Sequence, residues 1–334
     1  DVSVVIFLKH GTDVNFIVVI AALIATLNCA FADDPKNLRF GVLAFRSKEM
    51  TAKQWQPLAQ ELQRVLPGHT VQLLPMTLTE LDSAAKQKQL DLVLTNPEHY
   101  IFLKNRLSLS AIATLINLES GRPVTHFAGV IFTRANRNDI QTLADLNDKT
   151  IASPAEQSLG GYLMQRWELE KNHVTAKAYS FVGMPQDRVV EAVLAGSTDA
   201  GFVRSGLLEK LAKAGKISLN EIRVLVQHNS GDIDKIPFLH STEHYPEWPM
   251  SVASQLSSDT VRKISLALLN IQSDSLIAKT AEIAGFNPPA DYTPVEVLML
   301  RLRSHPEELK YFNFSDVAWR YHDIFVIGTA IIWV

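Results

Sequence analysis

The chain has 334 residues, 47% of them hydrophobic and 20% charged, and 32 Lys and Arg against 35 Asp and Glu leave a formal net charge of −3. That length accommodates two ordinary domains of roughly 100–200 residues each, and the composition excludes a disordered, collagen-like or multi-span membrane chain. With no basic excess the electrostatic footprint of a nucleic-acid binder is missing, and a lone cysteine, Cys29, excludes a disulfide framework or a cysteine-based zinc site.

The predicted elements start with an uncharged run from Phe16 to Ala32, preceded by Lys9 and His10 and followed by Asp33 and Asp34. It is slightly short for a comfortable span of roughly 20 residues and reads as a signal peptide or signal anchor within residues 1–32. Ala30-Phe31-Ala32 fits the small-x-small rule of signal peptidase. Two alternatives are a lipid anchor on Cys29, which Leu27-Asn28 fit poorly, and a buried core helix, against which the charged flanks argue.

A soluble strand and helix alternation follows. Arg39 to Ala44 is a short apolar strand, Arg46 to Thr51 a polar loop, and Trp55 to Leu66 an amphipathic helix stopped by Pro67-Gly68. Val71 to Leu74 is a second strand, Leu78 to Gln87 a helix, and Asp91 to Thr95 a third strand closed by Asn96-Pro97. Leu109 to Leu118 and His126 to Thr133 are further strands. A second unit repeats the grammar: strand at 148–152, loop from Ser153 to Gly161, helix from Tyr162 to Lys171, strand from Lys177 to Phe181, helix from Asp187 to Ala195, strand from Ala200 to Val203, helix from Ser205 to Ala214, and strand from Ile222 to Val226. The chain is then irregular to Pro249, and Asp259 to Ile271, Ser275 to Ala284 and Val295 to Leu302 read as helices. Buried strands alternating with helices imply parallel pairing through crossovers. Two such units, with a crossing near 126–134 and a return near 222–240, imply two lobes with a cleft at the carboxyl ends of the strands.

The last eleven residues, Ile324 to Val334, are uncharged and follow Trp319, Tyr321 and His322, which have the character of a membrane-interface belt. They read as the start of a second transmembrane helix, cut short; a core segment is the alternative. The lack of an initiating Met at Asp1 also suggests a fragment.

Chemistry can be searched along this frame. Ser158-Leu159-Gly160-Gly161-Tyr162 is a glycine-containing turn before a helix, where free N–H groups and the dipole can hold an anion, although an ordinary cap by Ser158 explains it equally well. Arg46 and Arg204 stand at strand exits, placed to pair with an oxyanion or to be solvated. Asn96 and Tyr100 offer a polar contact and an aromatic wall, or a plain turn. No HExxH, GxSxG, GxxxxGK[ST] or GxGxxG occurs, and no metal site, cofactor or hydrolytic machinery is expected. Residues Glu243 to Trp248 form a polar and aromatic cluster whose prolines, Pro246 and Pro249, favour a rigid interlobe loop.

Taken together, these residues resemble the phosphonate-binding class of periplasmic solute-binding proteins. The resemblance rests on Trp55-Gln56-Pro57-Leu58, Asp91-Leu92-Val93 with Asn96-Pro97-Glu98-His99-Tyr100, His126 to Ile131, Leu143 to Ala152 and Ser158 to Tyr162, and covers about residues 38–305. Gly201-Phe202-Val203-Arg204-Ser205-Gly206, Tyr245-Pro246-Glu247-Trp248-Pro249 and Asp291-Tyr292-Thr293-Pro294-Val295 resemble the subset fused to a histidine kinase, the tetrathionate-sensor type. The resemblance implies an α/β, type 2 periplasmic-binding fold with two hinge crossings: lobe 1 about 38–128 and 235–305, lobe 2 about 129–234, within an extracytoplasmic domain 33–323. It implies that the helix near Gly161 binds the anionic group, with Ser158, Gly160, Gly161, Tyr162, Arg46, Asn96, Tyr100, Asp187 and Arg204 as the ligand-binding set. Where the family carries a His-Asp pair this chain has Gln186-Asp187, so the resemblance does not extend to recognition of an aminophosphonate.

The expectation is a sensory domain of a membrane-bound histidine kinase in the bacterial inner membrane, its main domain periplasmic, binding a small anionic solute and pairing as a homodimer. The alternative is a free periplasmic or lipid-anchored binding protein of an ABC transporter. The chain itself carries no catalytic motif, and no nucleic acid is expected as a partner. Fold and family do not fix the ligand.

Overall fold

The computed structural model describes residues 36–44, 47–225 and 236–304. The apolar segments 16–32 and 324–334, and Arg46, lie outside these residues.

The first strand, β1 (Asn37–Leu43), leads into α1 (Lys48–Val65). That helix starts about two turns before the apolar periodicity does, because Ser47 caps it: its Oγ accepts the Met50 N–H at 3.2 Å, and Glu49 sits in the first turn, where the helix dipole favours an anion. The stretch up to Thr51, expected as loop, is therefore largely helix whose first turn faces water. Thr51, Trp55, Leu58, Ala59 and Leu62 form its buried face at three- and four-residue spacing. Next come β2 (Thr70–Met76), α2 (Leu78–Lys86), β3 (Leu92–Leu94) and α3 (Pro97–Leu107). Thr77 and Glu80 form a capping box on α2, and Asn96 caps α3, whose first residue is proline. Both β2 and β3 run parallel to β1.

The long strand β4 (Leu109–Glu119) turns through Ser120 and Gly121, both at positive φ, into β5 (Arg122–Val124) and then β6 (His126–Arg134). The second lobe continues with β7 (Thr150–Ser153), a single wide turn of π-helix at Leu159–Leu163, α4 (Met164–Lys171), β8 (Ala178–Phe181), α5 (Asp187–Leu194), β9 (Ala200–Arg204), α6 (Leu207–Lys213) and β10 (Ile222–Val224). The chain returns through β11 (His244–Pro246) into β12 (Pro249–Ala253), α7 (Ser258–Leu269), α8 (Leu276–Ala281), β13 (Ile283–Asn287) and α9 (Thr293–Arg301).

Two mixed sheets result. In the first, the order is β13-β4-β12-β3-β1-β2, with β5 on β4; in the second it is β10-β6-β9-β7-β8, with β11 on β6. Both crossings between the sheets lie together, at Thr125 and at Glu247, and the Glu247 N–H donates to the Thr125 carbonyl at 2.9 Å. The return is thus later than the expected 222–240. A three-residue strand that ends on a proline shows no period to read, so β11 escapes the sequence pattern. The helix expected to run to Ala284 stops at Ala281, because Glu282 takes a left-handed conformation (φ +57°) and the chain reverses into β13.

Alternate residues of β6 feed different cores, as a strand's period of two requires. Phe127 and Ile131 join a cluster that runs from Leu90, Val93 and Ile101 of the first lobe through Tyr245 to Ile151 and Leu159 of the second. Val130 and Phe132 join the second lobe's other face with Val189, Val193 and Val203. The first lobe's other face packs Phe40, Val42 and Leu92 against Trp55, Leu58 and Ile264.

Gly201 of β9 marks how closely α5 approaches: a Cβ there would lie 2.7 Å from Val193 Cγ2 and 2.8 Å from the Phe132 ring. Gly201→Ala is expected to destabilise the protein by about 1–3 kcal/mol through overpacking, read as a lowered urea midpoint with unchanged slope; an unchanged midpoint would mean this core yields freely.

Candidate ligand-binding site

Open α/β sheets present ligands to the carboxyl ends of their parallel strands. Here those are the exits of β1, β2 and β3 in one lobe and of β7, β8 and β9 in the other.

In the second lobe, Ser158 accepts the Gly161 N–H at 3.2 Å, so the turn is capped from within. Ser153 Oγ donates to the Gly161 carbonyl at 2.9 Å, and Gln165 Nε2 donates to the carbonyls of Gly160 (2.8 Å) and Val203 (2.9 Å), tying the turn to β9. The glycines answer to packing rather than to a ligand's approach. A Cβ at Gly160 would meet the Phe127 ring at 2.9 Å, and one at Gly161 would meet Pro154 Cγ at 2.6 Å. Tyr162 is buried, edge-on to Tyr179 (5.0 Å) and Phe181 (5.2 Å). Of that group Phe181, the last residue of β8, stands out at 46% exposure, with Met184 just beyond it at 39%.

Arg204, at the exit of β9, is not a free oxyanion receptor, and the sequence expectation is corrected here. Its guanidinium lies 4.3 Å above the Phe127 ring and pairs with Glu247 at the crossing and with Glu119 of β4 at 3.2 Å. Burial and the neighbouring Glu119 push the Glu247 carboxyl upward, against the pull of Arg204. Arg204 Nε and Glu247 Oε2 are buried without hydrogen-bond partners. The Arg204 backbone N–H donates to Gln186 Oε1 at 2.9 Å, which brings the start of α5 to the same place. Asp187 follows, with Lys216 3.4 Å away. Beside it, Arg188 is exposed along the Gly183 turn, and no carboxylate among the described residues pairs with it. It is a cation at a strand exit that the sequence reading passed over, as were Phe181 and Met184.

In the first lobe Asn96 Oδ1 accepts the His99 N–H at 2.8 Å as the cap of α3, and His99 Nδ1 lies 3.1 Å from Thr95 Oγ1. Tyr100 is an interior residue rather than an aromatic wall: its hydroxyl accepts the Ala111 N–H, and its ring meets Tyr292 edge-on at 5.4 Å. Glu98, in the first turn of α3, is buried, and burial pushes its carboxyl up to about 8 although the helix dipole there favours the anion. The structure therefore gathers Ser158, Gly160, Gly161, Tyr162, Asp187 and Arg204 at the second lobe's strand exits, and Asn96 at the first lobe's.

Comparison with known proteins gives this geometry a family. The model of the phosphonate-type periplasmic substrate-binding proteins of ABC transporters matches residues 40–293. The chain belongs to this family. In keeping with that, its fold is the two-lobed α/β fold of periplasmic binding proteins. Structures similar to this phosphonate-binding family member include XAC2383 of Xanthomonas citri bound to ATP (TM-score 0.65, 18% identity, 81% of this chain and 99% of that one). Another is PhnD1 of Prochlorococcus marinus in complex with methylphosphonate (TM-score 0.60, 16% identity, 81% of this chain and 100% of that one). Among curated proteins, the tetrathionate sensor histidine kinase TtrS of Salmonella typhimurium is 27% identical over 327 residues, 97% of this chain. The chain spans about half, 52%, of that relative's length. Among the described residues no helix is long and apolar enough to cross a membrane.

Two outcomes test this electrostatic picture. Glu98 binds its proton more tightly folded than unfolded, so between its ordinary value of 4.5 and about 8 the folded state holds the extra proton and stability falls as pH rises. Glu98→Gln is expected to remove that component: melting temperatures of variant and wild type should diverge from pH 5 to pH 8 in the variant's favour, and parallel curves would refute the assignment. Arg204→Met, which leaves two carboxylates facing each other in a largely buried place, is expected to cost about 3 kcal/mol by denaturant titration, part of it regained by adding Glu247→Gln.

Proposed function

We propose that this chain is the extracytoplasmic ligand-sensing part of a membrane-bound sensor histidine kinase, binding a small oxyanion between its lobes and signalling by their closure. The observation that carries the reading is the reach of the similarity: the match to the sensor kinase covers 97% of the chain, past both ends of the binding-protein match at 40–293. A transporter's binding protein would share the lobes but has no reason to share what flanks them. In this reading the segments 1–32 and 324–334 are membrane segments, residues 33–323 form the periplasmic domain with lobes near 38–128 with 235–305 and 129–234, two chains pair, and the kinase chemistry lies in the remaining length.

The ligand is held by dipoles and one cation: the turn at Ser158 to Tyr162, Asn96 and the start of α5 at Asp187 supply dipoles and polar contacts, Arg188 supplies the charge, and Phe181 and Met184 close over an apolar part. Phosphonates and sulfur oxyanions both fit this chemistry, since each presents oxygens around a central atom to N–H donors. The ligand can drive closure only through its greater affinity for the closed form.

Titration of the full chain with methylphosphonate, phosphate, thiosulfate, tetrathionate and a carboxylate, followed by thermal shift and calorimetry, tests this. A cognate oxyanion at 100 times its Kd should stabilise the protein by about 2.7 kcal/mol, and Arg188→Ala should weaken it roughly tenfold, about 1.4 kcal/mol. Stabilisation by neutral solutes alone, or oxyanion affinity indifferent to Arg188, Ser158 and Phe181 substitutions, would overturn the reading.

A further inference from the structure

A cavity of about 420 Å3 lies at the seam of the lobes, apart from the strand exits. Its walls are Glu119 and Ser120 at the turn after β4, Lys210 and Lys213 of α6, and Lys279 and Glu282 at α8. The first lobe therefore supplies β4 and α8, and the second supplies α6.

The charges are unbalanced. None of Lys210, Lys213 and Lys279 has an ion-pair partner among the described residues, whereas Glu119 is already engaged, by Arg204 at 3.2 Å and by the Asn117 side-chain amide at 2.9 Å. Among the described lining residues, Glu119 and Glu282 stand against three lysines. Three lysines from both lobes around a volume suited to a small solute together describe a receptor for a multiply charged oxyanion.

We propose that this cavity is a second anion site, taking a small polyvalent oxyanion such as phosphate or pyrophosphate, and that it reports on lobe position because both lobes wall it. Glu119 gives the coupling its route, since it both lines the cavity and holds Arg204 at the crossing. By linkage, an occupant that prefers one lobe arrangement shifts the affinity of any cleft ligand, and the cleft ligand shifts its affinity by the same factor.

The test is calorimetric titration of the full chain with pyrophosphate at low and at physiological salt. The expected result is binding that weakens with salt and is weakened about tenfold or more by the triple change Lys210→Met, Lys213→Met and Lys279→Met. The control triple Lys53→Met, Lys86→Met and Lys263→Met, equal in charge removed, should leave it unchanged. No pyrophosphate binding, equal loss in the control, or loss with Arg188→Ala but not with the cavity triple would each overturn the proposal; the last would assign pyrophosphate to the cleft and leave the cleft reading intact.

Discussion

The Arg204 guanidinium, set between Glu247 and Glu119 where the two crossings lie side by side, is the constraint around which the rest is arranged. Taking a guanidinium and two carboxylates largely out of water costs several kcal/mol per ion, and attraction offsets this only while all three stay in place. Each therefore fixes something. Glu247 fixes the return of the chain into the first sheet, Glu119 fixes the end of β4, and Arg204 fixes the exit of β9. Below the guanidinium lies the Phe127 ring, and against that ring lies Gly160, so the turn at Ser158 to Tyr162 is held at a set height over the crossing. A side chain at Gly160 would lift the turn off Phe127.

This arrangement also decides how an anion can be recognised. An arginine committed to two carboxylates cannot neutralise a ligand as well, and its surroundings carry an excess of negative charge. Recognition then falls to groups that need no counter-ion of their own, backbone N–H groups and hydroxyls, and to cations farther out. Arg188 on α5 is such a cation, and Gln186, standing where the family has histidine, accepts the Arg204 N–H through its Oε1. The substitution at that position therefore joins the start of α5 to the hinge cluster, a structural use that the pairing of Gln186 with Asp187 in sequence does not suggest.

How much of this was legible beforehand follows from the physics of each element. The alternation of buried strands and capped helices was readable because burial on both faces leaves unbroken apolar runs and caps leave Ser, Thr or Asn beside them; the caps at Ser47, Thr77, Asn96 and Ser158 all have that form. The first turn of α1 was not, because a turn that faces water carries no apolar period. Strands β11 and β12 were hidden by prolines at their ends, and β13 by a left-handed residue, Glu282, that looks like any other helical glutamate. The charge cluster was hidden more deeply. Arg204, Glu119 and Glu247 come from distant points in the chain, and nothing local marks a carboxylate that will be buried. The one hint was Pro246-Glu247-Trp248-Pro249, an acid enclosed by apolar residues with no room to reach solvent.

The place of the cluster also explains how a desolvated charge trio is compatible with a domain that closes. Rotation about the crossings displaces each part in proportion to its distance from them. β6 carries one crossing, β9 is its immediate neighbour, and β8 is the far edge of the second sheet. With strands about 4.8 Å apart, β9 lies about 5 Å from the axis and β8 about 14 Å. A closure of about 20°, of the hinge type common in binding proteins, would carry Phe181 and Arg188 roughly 5 Å and Arg204 less than 2 Å. The groups proposed to meet a ligand thus sit where travel is greatest. The ion pairs, which join Arg204 to Glu119 and Glu247 beside the crossings, sit where it is least.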